Sequence, residues 1–362
     1  MSMPIHEVRE HMRDGLRSVG LWCPDRRFHS TVREQRSRGD VLYRQLVESA
    51  CSTTDLSGTM LSLDAFRARL ANTLCFGYEI GLGLHAVRQD RIDMPCRAAV
   101  ACALFNAGVS LFDFVCDRMP DSAATELLDV VNERTLLRLL GDREFHAKVA
   151  RASGLVRTVE VRVLLLLIST FFSNLHESMS VGHDSTEWTL LSEMLVTAYK
   201  AQVYCAGLVS SDRLSPVLLI ASREKSTLPF KIMLQIDRVC SPKAIGSHEA
   251  EATELINNLA SAFWIIDDIA DIESDLVSRA VNSVVCECTV QDQRQGSQPH
   301  LDSMRIGELI ASVCAGLSAA VRVLEAPQFG HRQTVRFKEI ILASLRSWLG
   351  GSANSKLAYS QT

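Results

Sequence analysis

A chain of 362 residues, 47% hydrophobic and 22% charged, has apolar material for a large core and the polar balance of an ordinary globular protein. Its net charge of −4 gives no long-range attraction for nucleic acid, which argues against a phosphate-tracking binding protein. The eleven cysteines are scattered, with no Cys-x-x-Cys spacing, so free thiols in a reducing, cytoplasmic setting are expected rather than a structural zinc site.

In chain order, MSMPIHEVREHM carries charges where a signal peptide needs an apolar stretch. Residues 1–60 have weak periodicity and are expected to pack irregularly on the main body. Within them, Asp25 to Asp40 concentrates Arg26, Arg27, Arg33, Arg36 and Arg38. That stretch reads as a solvated surface, with contact to an anionic ligand as the alternative. From residue 61 to 349, apolar spacing near 3.6 predicts helices over 62–88, 95–118, 122–140, 155–181, 186–211, 226–240, 248–276, 303–325 and 332–348. Period-two alternation is absent, and Pro and Gly fall mostly between the helices, so one all-α domain is predicted. Val159 to Phe172 is the most apolar stretch and is read as too short for a bilayer, so the chain is not expected to be transmembrane. Cys286 to Ser303 is polar and reads as a loop, and residues 350–362 read as a flexible tail.

Two acidic clusters stand at the ends of apolar helices. In FWIIDDIADIESDL, Asp267, Asp271 and Asp275 recur at i, i+4 and i+8, with Asp268 beside them. On a helix they share one face, where like charges repel unless a cation sits among them. Such hard oxygen donors suit Mg²⁺, which keeps several waters and is completed by substrate phosphates. The bland alternative is a solvated helix end. In LFDFVCDRMPD, Asp113 and Asp117 are one turn apart after the apolar run 98–111, and Asp121 follows Pro120 in a place that suits a helix cap. Alone, such a pair is more often a surface feature. In SREKSTLPFKIML, Lys225 precedes Ser226 and Thr227, which could open a helix whose N-terminus, with the lysine, would hold an anion.

Together these segments resemble the trans-prenyl diphosphate synthases and the wider class I isoprenoid (terpene) synthase superfamily. That family carries a Lys-Thr motif at a similar interval before a Phe-Gln-x-x-Asp-Asp-x-x-Asp motif. Here Lys225 precedes Asp267 by 42 positions, and Phe263 to Asp271 fits except that Trp264 replaces Gln. Arg279 fits the place of a following diphosphate-binding base, and Asp113 to Asp117 is a reduced first Asp motif. The resemblance spans roughly residues 95–290.

It implies a single large antiparallel helical bundle of the terpene synthase fold around a central apolar cavity. It also implies three Mg²⁺ ions, held with a prenyl diphosphate substrate by Asp113, Asp117, Asp267, Asp268, Asp271 and Asp275. Lys225 and Arg279 would hold the diphosphate, and homodimers occur in the family. Phe263 and Trp264, one turn before Asp267, and Phe105, two turns before Asp113, are candidate cavity aromatics, although each is equally well read as core. The loop after Arg279 would be a lid.

Elongating members also carry a Gly-Lys-Arg motif and paired Arg for isopentenyl diphosphate. Here there is no Gly-Lys-Arg, and Arg118 stands alone after Asp117, with Arg91 and Arg97 as distant substitutes. The expectation is therefore a cyclase that ionises one prenyl diphosphate, without isopentenyl diphosphate as co-substrate. A chain-elongating or acceptor prenyltransferase and a non-catalytic partner subunit are the alternatives.

Overall fold

The computed structural model describes residues 2–22, 28–51, 56, 58–89, 96–179, 185–207, 216–241, 248–278, 282–289, 301–329 and 332–350. They form an all-helical protein. In chain order come α1 (Ile5–Ser18), α2 (Phe28–Leu42), α3 (Leu63–Arg88), α4 (Arg97–Arg118), α5 (Asp121–Val130), α6 (Glu133–Gly141) and α7 (Phe145–Ala152). Then follow α8 (Val159–Ser178), α9 (Ser185–Gly207), α10 (Pro216–Cys240), α11 (Glu249–Ser278), α12 (Ser283–Cys288), α13 (Ser303–Glu325) and α14 (Arg332–Gly350). A two-residue strand at each of Ser2–Met3 (β1) and Leu301–Asp302 (β2) forms a small antiparallel ladder.

The boundaries depart from the sequence expectation in instructive places. The first sixty residues contain regular helices: Val8, Met12 and Leu16 of α1 recur at i, i+4, i+8 and are all fully buried. The predicted helix 122–140 is two helices, because Asn132 caps α6 by accepting the Thr135 N–H at 3.0 Å. Asp121 is the first residue of α5 and makes no side-chain cap; Pro120 holds the N-cap position. The predicted helix 226–240 starts ten residues earlier at Pro216, where a proline's missing N–H costs nothing. The apolar helix around 159–172 runs on to Ser178, so length does not exclude a span. By length and composition α4, α8 and α13 could each cross a membrane; α4 and α8 bury most of their apolar window against the rest of the chain, α13 a third.

Two devices fix the helices that carry the acidic clusters. One is close approach. A Cβ on Gly77 of α3 would lie 2.5 Å from the Cys102 carbonyl oxygen of α4, and one on Gly81 would lie 2.7 Å from Cys102 Cβ. Glycines one turn apart therefore let α3 and α4 touch backbone to side chain, and α4 packs in turn on α8 and α10.

The other device is buried charge. Asp237 of α10, with no exposure, accepts from His85 Nδ1 at 2.7 Å and from the Arg88 guanidinium, both on α3. Arg88 Nε also donates to Glu249 Oε2 at 2.7 Å, and Arg238 Nε to Glu249 Oε1 at 2.5 Å, which ties in the start of α11. A second carboxylate, Glu79 of α3, is 2% exposed and meets Arg38 of α2 at 2.8 Å and Arg336 of α14 at 3.0 Å. Buried carboxylates persist only when paired in this way.

Candidate functional site

The C-terminal halves of α4 and α11 bring the acidic clusters to one region of the bundle. Asp113 and Asp117 occupy adjacent turns of α4. Arg118, next along, donates from Nη2 to Ser274 Oγ of α11 at 3.3 Å, linking the two cluster-bearing helices. Asp113 and Asp267 line the same pocket, together with Lys225 from α10. Three residues spread over more than a third of the chain thus converge.

Lys225 lies nine residues inside α10 rather than at a helix N-terminus. Ser226 and Thr227 cap nothing there; Thr227 Oγ1 donates back to the Arg223 carbonyl at 2.8 Å. The anion hold expected from a helix start is therefore unavailable at Lys225. The cation itself is well placed. Its Nζ donates to Asp113 Oδ1 at 2.6 Å and to Asp117 Oδ2 at 3.1 Å. Gln202 Nε2 of α9 adds a third hydrogen bond, to Asp113 Oδ1 at 2.6 Å.

Burial works against charge on both aspartates, but the ammonium and the hydrogen bonds from Lys225 and Gln202 hold the Asp113 carboxyl below its ordinary value. Asp117 is pushed up, by burial first and then by the neighbouring Asp113 charge. Burial pulls Lys225 down, and the two carboxylates more than reverse it, so the amine is held well above its ordinary value. Pro229, one turn on and inside the helix, has no N–H for the Lys225 carbonyl, so the backbone here departs from regular helix hydrogen bonding.

The remaining residues of the second cluster have different surroundings. Asp268 is 7% exposed, and its Oδ2 accepts the Ser283 N–H at 2.8 Å and the Ser283 hydroxyl. It anchors the start of α12, and burial pushes its carboxyl up to about 6. Asp275 Oδ2 accepts from Asn282 Nδ2 at 2.9 Å, and burial, with the charges of Asp271 and Asp268, pushes it up to about 7. Asn282 also donates to the Asp268 carbonyl at 2.7 Å and caps α12 itself. The Asn282–Ser283 pair is thus a clasp on the acidic helix, and nothing in the sequence pattern marks it. Arg279 and the lid expected after it begin outside the described residues, as does Arg91. Arg97 donates weakly to the Glu177 carbonyl at 3.4 Å, away from the clusters.

Two pockets lie side by side here and share part of their lining. The one bearing Asp113, Asp267 and Lys225 has a volume of about 450 Å³ and runs between α2, α3, α4, α10, α11 and α14. The other, about 130 Å³, is almost wholly apolar, with Phe105, Phe112, Phe171 and Phe172 on its walls. Val109, Gln202, Lys225 and Pro229 line both.

Phe105 lines the smaller pocket and Phe263 the larger. Trp264 lines neither, packs under the Arg223 guanidinium at 5.4 Å, and its buried Nε1–H has no hydrogen-bond partner among the described residues. Neighbouring positions on a helix point about 100° apart, and of this pair it is Phe263 that takes the pocket side. Sequence reasoning also missed the partners of Phe263. Phe76, Phe230 and Trp348, from α3, α10 and α14, stand 6.4, 5.4 and 5.0 Å from it, ring centre to ring centre, and all line the larger pocket.

No protein-family model and no curated protein matches the chain.

Two further cations stand in this region, one lining the larger pocket and one acting on Asp113. Arg36 of α2 lines the larger pocket. The Arg-rich segment that holds it offered that signal, though not which arginine. Arg69 of α3 donates to the Ser110 carbonyl at 3.0 Å, and burial pulls its pKa down while Asp113 raises it.

The donor set fits a hard divalent ion in one respect: carboxylates from two helices border one pocket. Among the described residues no three His, Cys, Asp or Glu side chains close around a common point. An ion held here would draw its remaining ligands from water and substrate oxygens, as Mg²⁺ does at phosphate sites.

Proposed function

We propose that this chain is a class I terpene synthase of the helical-bundle type, which ionises a prenyl diphosphate and cyclises the resulting cation. One observation carries the reading: Asp113, Lys225 and Asp267, from three helices, border a pocket that shares four lining residues with a smaller apolar one. An anionic, metal-seeking head group and a long hydrocarbon tail are the two halves of a ligand that such a cavity would accept.

Asp113 and Asp117 on one side and Asp267 and Asp271 on the other would hold Mg²⁺, with Asp275 adjoining and Asp268 acting mainly through Ser283. Bound Mg²⁺ supplies positive charge to the oxygens of the departing diphosphate. Lys225, kept protonated by its carboxylates, is a fixed cation for the same group, and Arg279 is assigned to it by its offset from Asp267. The allylic C–O bond breaks with its electron pair leaving on diphosphate. The substrate's own alkenes then close on the cation, and loss of a proton to the released diphosphate ends the sequence. The apolar walls exclude water that would otherwise capture the cation. The faces of Phe263, Phe76, Phe230 and Trp348 can stabilise it by their negative quadrupole.

A second reading, an acceptor or chain-elongating prenyltransferase, draws on Arg36, which adds a cation to the pocket at a distance in sequence from the Asp clusters. One experiment separates the two. Purified protein with Mg²⁺ is given geranyl, farnesyl, geranylgeranyl or geranylfarnesyl diphosphate, each with and without radiolabelled isopentenyl diphosphate. A hydrocarbon from one allylic substrate alone is the expected result. Label in a longer prenyl diphosphate establishes chain elongation, and no turnover of any substrate refutes both cyclisation and elongation.

A further inference from the structure

The acidic pair on α4 already shares a cation from within the chain. The Lys225 ammonium donates to Asp113 at 2.6 Å and to Asp117 at 3.1 Å. It bridges carboxylates on adjacent turns, where a divalent ion would take one oxygen from each. Asp113 Oδ1 also accepts from Gln202 at 2.6 Å, so that oxygen carries two donors before any ion arrives. Lysine and metal cannot share the position, because two cations a few ångströms apart repel strongly in a partly desolvated pocket. Lysine has the advantage while the pocket is empty: its tether gives it a high effective concentration, and a free Mg²⁺ must shed tightly held water to compete.

The lysine also has somewhere to go. Its side chain lines both pockets, so a diphosphate bound beside Asp113 and Asp267 would lie within its reach. A diphosphate there offers the ammonium a new partner of the same sign as the carboxylates it leaves. The exchange keeps every charge paired, and the vacated Asp113 and Asp117 then attract the metal.

We propose that Lys225 is a resident counter-ion that makes metal binding at Asp113 and Asp117 conditional on diphosphate, which draws the ammonium off the two carboxylates. The inference rests on the synthase reading of this pocket and adds an order of assembly to it. Metal and diphosphate then bind with positive coupling, which by linkage is the same whichever arrives first. The empty enzyme carries little metal, and the charge that ionises the substrate assembles only around a substrate already in place.

The test uses the full chain, Mn²⁺ as a metal visible by electron paramagnetic resonance, and inorganic pyrophosphate, corrected for Mn²⁺–pyrophosphate complexes in solution. In the wild type, saturating pyrophosphate is expected to tighten Mn²⁺ binding by about tenfold or more, equal to ~1.4 kcal/mol of coupling. Lys225→Gln keeps a hydrogen-bond donor between the carboxylates and removes the charge. Lys225→Met removes both, and circular dichroism checks that each variant is folded. Each is expected to bind Mn²⁺ alone about tenfold tighter than the wild type and to lose most of the coupling.

Folded variants that bind free Mn²⁺ no tighter than the wild type overturn the proposal. So does a wild type whose Mn²⁺ affinity ignores pyrophosphate, a result that needs no variant. Pyrophosphate that binds with metal but independently of Lys225 sinks this inference alone. Pyrophosphate that does not bind at all sinks the synthase reading with it.

Discussion

Replacing Asp113 by Asn separates a catalytic role from a structural one. The amide keeps an oxygen for the Gln202 donor at 2.6 Å but loses the charge that meets Lys225, which is left with Asp117 at 3.1 Å. Breaking a fully buried ion pair costs about 3–5 kcal/mol. Here the Asp113 side chain is 38% exposed and Lys225 keeps a second carboxylate, so solvent and Asp117 absorb much of the loss. A destabilisation of about 1–2 kcal/mol follows, measured as a lower urea midpoint at unchanged slope. The chemical step should suffer far more. Removing one preorganised group that stabilises transition-state charge costs about 10²–10³ in rate. Turnover is read as pyrophosphate release from whichever allylic diphosphate the wild type consumes, at saturating Mg²⁺. Turnover within about threefold of wild type, in a protein destabilised as predicted, would refute the metal-ligand role and leave Asp113 a structural partner of Lys225.

Three further outcomes are expected. Asp237→Ala leaves His85 and Arg88 facing an empty, fully buried site, so it should cost about 3–5 kcal/mol in chemical denaturation; a cost below ~1 kcal/mol contradicts the role given to that network. Gly81→Ala pushes a methyl to 2.7 Å from Cys102 Cβ and should lose about 1–3 kcal/mol, whereas Gly141→Ala, with nothing within 4 Å, should be neutral or stabilising. In metal-free protein, Asp268 and Asp275 titrate at about 6 and about 7, above the ordinary aspartate value. The fold favours their protonated forms, so that stabilisation is full below about pH 4 and is lost as pH rises through 6 and 7. Thermal melts in chelator should therefore fall from pH 5.5 to pH 8, and the fall should shrink in Asp275→Asn. A flat profile contradicts the burial of these two carboxylates.

Much of this architecture was readable without coordinates. The helix predicted over 303–325 coincides with α13, because Asp302 caps its start on the Met304 N–H at 2.9 Å and Pro327 bars its continuation. α3, α4 and α11 were legible for a related reason: long apolar runs bounded by glycine, proline and acidic residues leave few alternatives. The same runs placed Asp113 and Asp267 at the polar ends of buried helices. What failed locally were choices between similar short signals. Ser226 and Thr227 look like a helix start in isolation, yet α10 already runs through them from Pro216. α1 was missed because its apolar stripe, Ile5, Val8, Met12 and Leu16, is interrupted by charges, of which Arg9 and Arg13 turn inward to carbonyls of α11 and α14.

By itself, then, the sequence determined that the chain is helical, which faces are apolar, and that two acidic helices end in carboxylates needing a counter-charge. It could not determine what supplies that counter-charge. Asp113 and Lys225 are 112 positions apart and meet because α4 and α10 pack together, a consequence of side-chain shapes on several helices at once. Likewise Phe76, Phe230, Phe263 and Trp348 come from four helices and carry no shared pattern in the chain. Helical periodicity fixes which residues share a face of one helix. Only the tertiary packing decides which faces meet, and it alone turned Asp267 toward the pocket and its neighbour Asp268 toward Ser283.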